Sequence, residues 1–203
     1  MYKFSYYREI DEKKVLEFMR EQSFAMVIGM GVQFPAATQL PLEVTEENGK
    51  IWFTGHLMRN TDHHRAFEKN KNVLVIFSSP HAYIDANWYK QKAKASTVNY
   101  MSVHAQGIIH FLDETGTRKT IEQITDKHIG KNTEASFAHL PEAYIQQNLK
   151  AIIGFRVEVT QLDHVFKLSQ NYDAEDRAAI VTELEKRKTP GDLFIAHQMK
   201  KQL

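Results

Sequence analysis

The stretch that decides the fold is VLVIFSSPHAYIDANWY, residues 73–89. Its first half is a β-branched and aromatic run that predicts a buried strand, and Pro80 ends that strand because proline has no amide hydrogen to donate. A hydrophobic core does not require ring side chains with polar atoms just after a strand, whereas a binding site for a flat, partly polar ligand does. Four such residues follow Pro80 at once: His81, Tyr83, Trp88 and Tyr89.

Strand and turn signals continue outward from this stretch in both directions. Pro41 marks an edge or a bulge, Asn48-Gly49 marks a tight hairpin turn, and Gly107 marks a break or bulge in a long strand. About six strands joined by tight turns and short helices predict a mainly β chain with flanking α-helices, built as a small antiparallel barrel. The predicted strands are residues 24–31, 36–44, 50–57, 73–79, 98–114 and 152–169.

Helices are predicted at both ends of the chain and between the strands. Asp11 and Thr61 are suited to cap the first two, and Asp192 to cap the last, which follows Pro190-Gly191. Beyond the helix that starts after Asp11, the predicted helices are residues 61–70, 117–129, 141–149, 174–188 and 192–201. We therefore expect a barrel domain over residues 1–170 and a helical extension over residues 171–203, packed on the barrel or on a partner subunit.

The composition narrows the classes of function. The 203 residues include 26 basic and 25 acidic side chains, and the formal net charge of +1 gives no electrostatic reason to bind nucleic acid. The chain has no cysteine, which excludes disulfides and thiolate chemistry and fits a reducing cytoplasm. No apolar run reaches the length of a membrane span, and the first residues lack the apolar segment of a secretory signal. We therefore expect a cytoplasmic protein.

Motifs of several enzyme classes are missing from the sequence. There is no GxGxxG after a predicted strand, no phosphate-binding GxxxxGK[ST] loop and no GxSxG elbow. His63 and His64, together with His56, raise the possibility of a metal site. Adjacent residues on a helix diverge by about 100° and share no face, so surface histidines are the better interpretation. We expect no metal site.

Several motifs, taken in order, resemble those of one family. They are ATQLPLEV (37–44), NGKIWFTGH (48–56), VLVIFSSPHAYI (73–84) with NWY (87–89), VNYMSVHAQG (98–107), and FKLSQN (166–171) followed by EDR (175–177). In combination they make the chain similar, over nearly its whole length, to the PaiB-type FMN-binding negative transcriptional regulators of the flavin-binding split-barrel superfamily. The chain departs from that pattern at Gln39, in LMRNTDHH (57–64) and at Val98.

The resemblance has definite implications. It implies a split β-barrel with C-terminal helices, FMN as the cofactor and a role in transcriptional repression. It also implies a homodimer, with the flavin in a groove between the two subunits.

The FMN phosphate has a candidate site in FTGHLMRNT (53–61). Arg59 supplies a forked cation, and Thr54, Asn60 and Thr61 supply short polar groups where a strand enters a helix N-terminus. The alternative is a solvent-facing arginine beside an ordinary helix cap. The resemblance favours phosphate binding at Arg59.

The flavin ring needs apolar and aromatic walls with a few hydrogen-bonding groups, and residues 80–89 offer them. His81 and Tyr83 are predicted to point to one side of an extended segment, with His81 at the site. Trp88 and Tyr89 are as consistent with the edge of a core as with flavin contact.

Polar residues on two later strands complete the predicted set. Asn99 and Tyr100 lie on opposite faces of their strand, and Gln170 either meets the ligand's amide edge or closes a turn. No side chain is an obvious general acid or base, so no catalytic residue is assigned. The predicted cofactor-binding residues are Thr38, Gln39, Phe53, Thr54, His56, Arg59, Asn60, Thr61, His81, Tyr83, Trp88, Asn99, Tyr100, Lys167, Ser169 and Gln170.

Competing functions stay open at this point. They are an FMN-dependent oxidoreductase, a flavin-sensing regulator, a module for a ligand other than flavin, and a haem-binding or haem-degrading split barrel with His81 or His104 as ligand. The two C-terminal helices only vaguely suggest a helix–turn–helix. The first is mixed in charge, and the second is apolar at its N-terminus, where a recognition helix reads bases. Direct DNA binding is therefore expected to be weak and non-specific.

Overall fold

One hydrogen-bonded sheet organises the fold in this computed structural model, which describes residues 1, 4–90 and 93–202. Eight strands lie within these residues: β1 Phe24–Gly29, β2 Ala36–Pro41, β3 Glu43–Glu47, β4 Lys50–Met58, β5 Asn72–Ser78, β6 Ala82–Ile84, β7 Thr97–Phe111 and β8 Ile152–Lys167. Seven of them follow the order β2-β1-β5-β7-β8-β4-β3, and β6 pairs with β7 beside this path. The predicted mainly β architecture with C-terminal helices is therefore confirmed.

The same described residues include six α-helices: α1 Glu12–Glu21, α2 Asp62–Lys69, α3 Glu114–Ile129, α4 Glu142–Ala151, α5 Ala174–Arg187 and α6 Pro190–Lys200. Thr61 caps α2 as predicted, because its hydroxyl accepts the amide of His64. The prediction that Asp192 caps α6 is wrong. Thr189 is the cap, Pro190 fits the first turn where no amide is needed, and Asp192 closes a capping box with Thr189.

The chain divides into two compact units. The terminal unit comprises Met1–Phe18, Ser78–Val103 and Asp163–Leu203, and the central unit comprises Met19–Phe77 and His104–Leu162. Strands β7 and β8 contribute residues to both units. The division at residue 170 that the sequence suggests stays a prediction.

Strict alternation builds the core of the central unit. Phe53 and Leu57 of β4 are buried, while Thr54 and His56 on the opposite face are partly exposed. The rings of Phe53 and Phe77 meet with centroids 5.1 Å apart. Fully burying a side chain of this kind stabilises the fold by about 1.5–3 kcal/mol relative to exposure, so this face fixes the register of the strand.

The C-terminal helices complete the core of the terminal unit. Ile180 and Leu184 of α5 and Ile195 and Met199 of α6 are fully buried. Phe18 of α1 meets Phe166 of β8 with ring centroids 5.2 Å apart. The apolar positions of α5 recur three to four residues apart, which is the spacing that predicts an amphipathic helix.

The predicted strand over residues 36–44 is two strands in the structure. Strand β2 ends at Pro41 and pairs with β1, whereas β3 begins at Glu43 and pairs with β4. The two strands stand at opposite ends of the strand order, joined by the buried residue Leu42. Pro41 does lie at a sheet edge, as its missing amide requires, but the chain changes partners there rather than continuing.

The predicted break or bulge near Gly107 is also wrong. Strand β7 is continuous, and its alternation stays in phase through Ala105, Gly107 and Ile109, all buried. A Cβ at Gly107 would lie 2.5 Å from the carbonyl oxygen of Glu158. The glycine therefore permits a close approach of β8 instead of interrupting the strand.

Candidate functional site

The ring-bearing segment predicted at residues 80–89 lies in the terminal unit. Strand β6 turns Ala82 and Ile84 inward, while His81 is exposed and Tyr83 is 52% exposed. This is the predicted arrangement. Trp88 ends a short 3₁₀ turn, Ala86–Trp88, where its ring is half-buried beneath the Arg187 guanidinium at 5.0 Å.

Tyr89 belongs to the core rather than to this exposed segment. It is 1% exposed, and its ring lies 4.6 Å from that of Tyr172. Burial raises the pKa of the Tyr89 phenol well above its usual range. The phenol therefore stays neutral at physiological pH.

A buried polar cluster lies beside β6 in the same unit. Asn99 is fully buried, and its amide nitrogen donates to the hydroxyl of Ser169 at 2.9 Å. Ser169 has a left-handed backbone with φ 62°, which is uncommon for a residue other than glycine. Lys167 donates to the hydroxyl of Thr97 and lies 5.9 Å from the ring centroid of Tyr7. Burial lowers the pKa of the Lys167 ammonium.

The cluster contains an unsatisfied acceptor. Within the described residues, the side-chain oxygen of Asn99 is buried and has no hydrogen-bond partner. Such atoms are rare in folded proteins, and each calls for an explanation such as a ligand or an ordered water. Gln170 does not supply the partner, because its amide bonds the backbone of Phe166 and Leu168 and so closes the turn after β8.

Strand pairing separates the polar cluster from the exposed ring of Tyr83. Ala82 pairs with Asn99, and Ile84 pairs with Thr97, so these four side chains share the inner face. Tyr83 pairs with Val98 on the outer face. Tyr100 lies on this outer side of β7, half-buried. The structure thus brings Asn99, Lys167 and Ser169 together and turns Tyr83 away from them.

The predicted phosphate turn lies in the central unit, between β4 and α2. The amide of Arg59 donates to Ala151 at 2.8 Å, and its Nε donates to the carbonyl of Ile152 at 2.9 Å. Within the described part of the chain, no hydrogen bond uses the two terminal nitrogens of Arg59. Asn60 has a left-handed backbone with φ 62°, and its backbone amide donates to Nδ1 of His64 at 3.2 Å.

Some of the backbone amides in the first turn of α2 already have hydrogen-bond acceptors. The Thr61 hydroxyl accepts the His64 amide, and a carboxylate oxygen of Asp62 accepts the His63 amide at 2.8 Å. The hydrogen bond from the His63 amide lowers the pKa of the Asp62 carboxylate. A phosphate at this turn would therefore rely on Arg59 and the Asn60 side chain more than on helix amides.

The remaining predicted residues of β4 lie on both faces of the strand. Thr54 lines a groove of about 570 Å³ beneath α3, together with Glu47 and Arg156, which form an ion pair at 2.7 Å. Phe53 is fully buried in the core, on the face of β4 opposite His56. Burial lowers the pKa of His56, whose Nδ1 is buried and has no partner among the described residues.

Strand β2 carries the last two predicted residues. Gln39 pairs with Met26 and is exposed, whereas Thr38 pairs with Val27 and is half-buried. The structure places neither of them in the groove beneath α3.

Sequence reasoning missed Arg187 and Thr97, which contact predicted site residues. Arg187 donates to the carbonyl of Tyr83 at 2.8 Å and covers Trp88. Thr97 holds Lys167. A signal for Arg187 was available, because TPGD (189–192) fits the capping pattern of a Thr followed three residues later by an acid and so marks a turn beside it.

Residues 1–161 of the chain match the sequence model of a family described as "Putative FMN-binding domain". The chain belongs to this PaiB-type FMN-binding family. FMN is therefore the cofactor of the domain. Over 206 aligned residues the chain is 30% identical to the protease synthase and sporulation protein PAI 2 of Bacillus subtilis, covering 100% of this chain and 98% of that protein.

Two solved structures share the fold of this FMN-binding family member. The flavocytochrome Anf3 of Azotobacter vinelandii superposes with a TM-score of 0.65 at 16% identity, covering 88% of this chain and 78% of that one. The FAD and heme binding protein of Mycobacterium smegmatis gives 0.61 at 15% identity, covering 84% and 78%. The predicted split β-barrel is confirmed. None of the described helices is both long and apolar enough to cross a bilayer.

The donor set fits a phosphorylated flavin. Arg59 and Lys167 offer cations, and Ser169, Thr97 and Asn60 offer short polar groups. The unpartnered oxygen of Asn99 can accept the kind of hydrogen bond that a flavin's imide N–H donates. Arg59 and Asn60 belong to the central unit, and Thr97, Asn99, Lys167 and Ser169 belong to the terminal unit.

Proposed function

We propose that this protein is an FMN-dependent redox protein of the PaiB type. Bound FMN supplies hydride or electron transfer at its ring, and the protein supplies position and electrostatics. The observation that carries the proposal is the polar cluster of Asn99, Ser169 and Lys167 beside β6, because it combines a half-buried cation with a buried, unsatisfied acceptor. No side chain is assigned as a general acid or base.

The predicted site residues receive proposed roles from their geometry. Arg59 and Asn60 hold the phosphate, since the terminal nitrogens of Arg59 point to no described acceptor. Asn99 orients the polar edge of the flavin ring through its unpartnered oxygen. Lys167, held by Thr97, keeps a positive charge in the same unit. Phe53 and Gln170 act through packing and turn closure instead.

The test of the proposal is a titration of the apo-protein with FMN, followed by flavin fluorescence and by the absorption spectrum. We expect saturable quenching at micromolar protein and a reducible flavin spectrum. No saturable change overturns the proposal. A Soret band after incubation with haem, without flavin binding, would favour the haem alternative. The names of the Azotobacter and Mycobacterium proteins are the reason to include this test.

Transcriptional regulation is the second part of the proposal. It is supported by the similarity to the Bacillus protein, whose name refers to protease synthase and sporulation. The N-terminus of α6 is packed within the terminal unit: Asp192 is 1% exposed, and a Cβ at Gly191 would lie 2.1 Å from the carbonyl oxygen of His81. A recognition helix reads bases with this end. We therefore propose that any regulatory output passes through the flavin state or a partner protein in the cytoplasm rather than through α6.

A homodimer is the proposed assembly. The outer face of β2, β1 and β5 exposes a patch without formal charge, in which Met26 pairs with Ile76, and Ile28 pairs with Ala37 and Leu74. Phe24 at the end of this face is 65% exposed. Contiguous apolar faces mark interaction surfaces, and an uncharged face meets its own copy without like-charge repulsion. A second copy of the chain is therefore the proposed occupant.

A further inference from the structure

The turn between α5 and α6 lies against the ring-bearing segment through three independent contacts. Arg187 donates from Nη2 to the carbonyl of Tyr83 at 2.8 Å. Its guanidinium covers the Trp88 ring at 5.0 Å. Gly191 meets the backbone of His81 so closely that no Cβ fits between them. One turn of the chain thus contacts residues 81, 83 and 88 of the segment.

A buried carboxylate fixes Arg187 in this position. Asp192 is 1% exposed and accepts from both Nε and Nη2 of Arg187, with the Nε bond at 2.7 Å. The capping box with Thr189 holds the carboxylate in turn. A guanidinium in a bidentate pair keeps one orientation, so the face that it presents to Trp88 is fixed as well.

Residues 187–192 lie beyond the part of the chain that matches the family, which ends at residue 161. The Tyr83 carbonyl and the Trp88 ring both contact Arg187 of this turn. The ring segment itself has a short strand of three residues and a single 3₁₀ turn, too little secondary structure to fix ring orientations alone.

We infer that Arg187 is a positioning residue, which orients Trp88 and the β6 segment so that they form a wall of the flavin-ring site. The inference rests on the proposed function, since it assigns the ring wall to Trp88 and to the inner face of β6, which Ala82 and Ile84 share with Asn99. It also gives the C-terminal helix pair a role in ligand binding, beyond packing.

The decisive variant is the pair Arg187→Met with Asp192→Asn. Changing both residues avoids leaving a buried charge without a partner, which alone would destabilise the fold. The background is Trp52→Phe, because the chain has two tryptophans and Trp88 then reports alone. The matched control is Lys200→Met, which removes an exposed ion pair with Glu185 between the same two helices, away from the ring segment.

In the double variant we expect lower Trp88 fluorescence anisotropy without ligand, and FMN and riboflavin both bound about tenfold more weakly, since the ring wall is common to both ligands. Circular dichroism should show unchanged folding, and the Lys200→Met control should match its Trp52→Phe parent. Gly191→Ala, which changes no charge, should reproduce the double variant.

Two results overturn the inference. One is unchanged Trp88 anisotropy in a folded double variant, because Arg187 then does not hold the ring. The other is lowered anisotropy with unchanged flavin affinity, because Trp88 then forms no wall of the site. If neither the unaltered protein nor the Trp52→Phe parent binds FMN, the proposed function itself is overturned, and the inference with it.

Discussion

His64 is a single residue on which the conformation of the proposed phosphate turn depends. It is 5% exposed, and its Nδ1 accepts the amide of Asn60 only while the ring is neutral. Burial lowers the pKa of His64, nearby Arg59, His63 and Arg65 lower it further, and only Glu68 opposes this. Between that lowered pKa and the ordinary value of about 6.5, the unfolded chain binds more protons than the folded one.

Stability should therefore fall as the pH falls below about 6.5, and the effect should be smaller in His64→Asn, whose side-chain oxygen keeps an acceptor near Asn60. The measurement is the urea midpoint at pH 7 and at pH 5 for both proteins. His56, whose pKa is also lowered by burial, contributes equally to both. Equal losses in the two proteins would show that His64 does not titrate in this range.

Arg59 gives the second prediction at this scale. Charge-assisted hydrogen bonds contribute roughly 1.5–3 kcal/mol each, so Arg59→Ala should weaken FMN at least about tenfold and leave riboflavin, which has no phosphate, nearly unchanged. The measurement is fluorescence titration with both ligands. Arg65→Ala is the matched control, because Arg65 bonds the Asn60 carbonyl from an exposed position. An unchanged preference for FMN over riboflavin would place the phosphate elsewhere.

At the scale of elements, Gly107 permits the close packing of β7 against β8. Gly107→Ala places a methyl group 2.5 Å from the Glu158 oxygen and 2.6 Å from Val157. Because the nearest atom is backbone, overpacking should cost about 1–3 kcal/mol of unfolding free energy. Denaturant unfolding measures it, with Gln106→Ala on the exposed face of β7 as control. Equal stability in the two variants would mean that β8 shifts to accommodate the methyl group with no loss of unfolding free energy.

The sequence predicted elements well where a periodic pattern is local. Strands β4 and β5, the cap of α2 and the inward and outward faces of β6 follow from alternation and from Thr61. The change of partners at Leu42 did not follow, because alternation continues through it and pairing is a long-range property. The core position of Asn99 did not follow either, since its partner Ser169 lies on a distant part of the chain. A local sequence pattern therefore cannot predict those site residues whose positions depend on such distant partners.

At the scale of the whole molecule, the prediction concerns assembly. Light scattering should give about twice the chain mass of 23.6 kDa across a dilution series. Met26→Asp should shift the protein towards the monomer, because it places a charge in the centre of the uncharged face of β2, β1 and β5. The control is Gln106→Asp, on the exposed face of β7. A monomer in the unaltered protein, or a dimer that Met26→Asp leaves intact, contradicts the proposed interface.

The single residue between β2 and β3 also has a consequence for how the chain folds during synthesis. Leu42 connects strands at opposite ends of the strand order, and the β3–β4 hairpin finds its other neighbour only in β8, from Trp52 opposite Glu158 to Met58 opposite Ile152. The hairpin leaves the ribosome long before β8 does, and during that interval one edge of β4 has no partner. Closing so long a loop is slow, so the nascent chain exposes an aggregation-prone strand edge until β8 emerges.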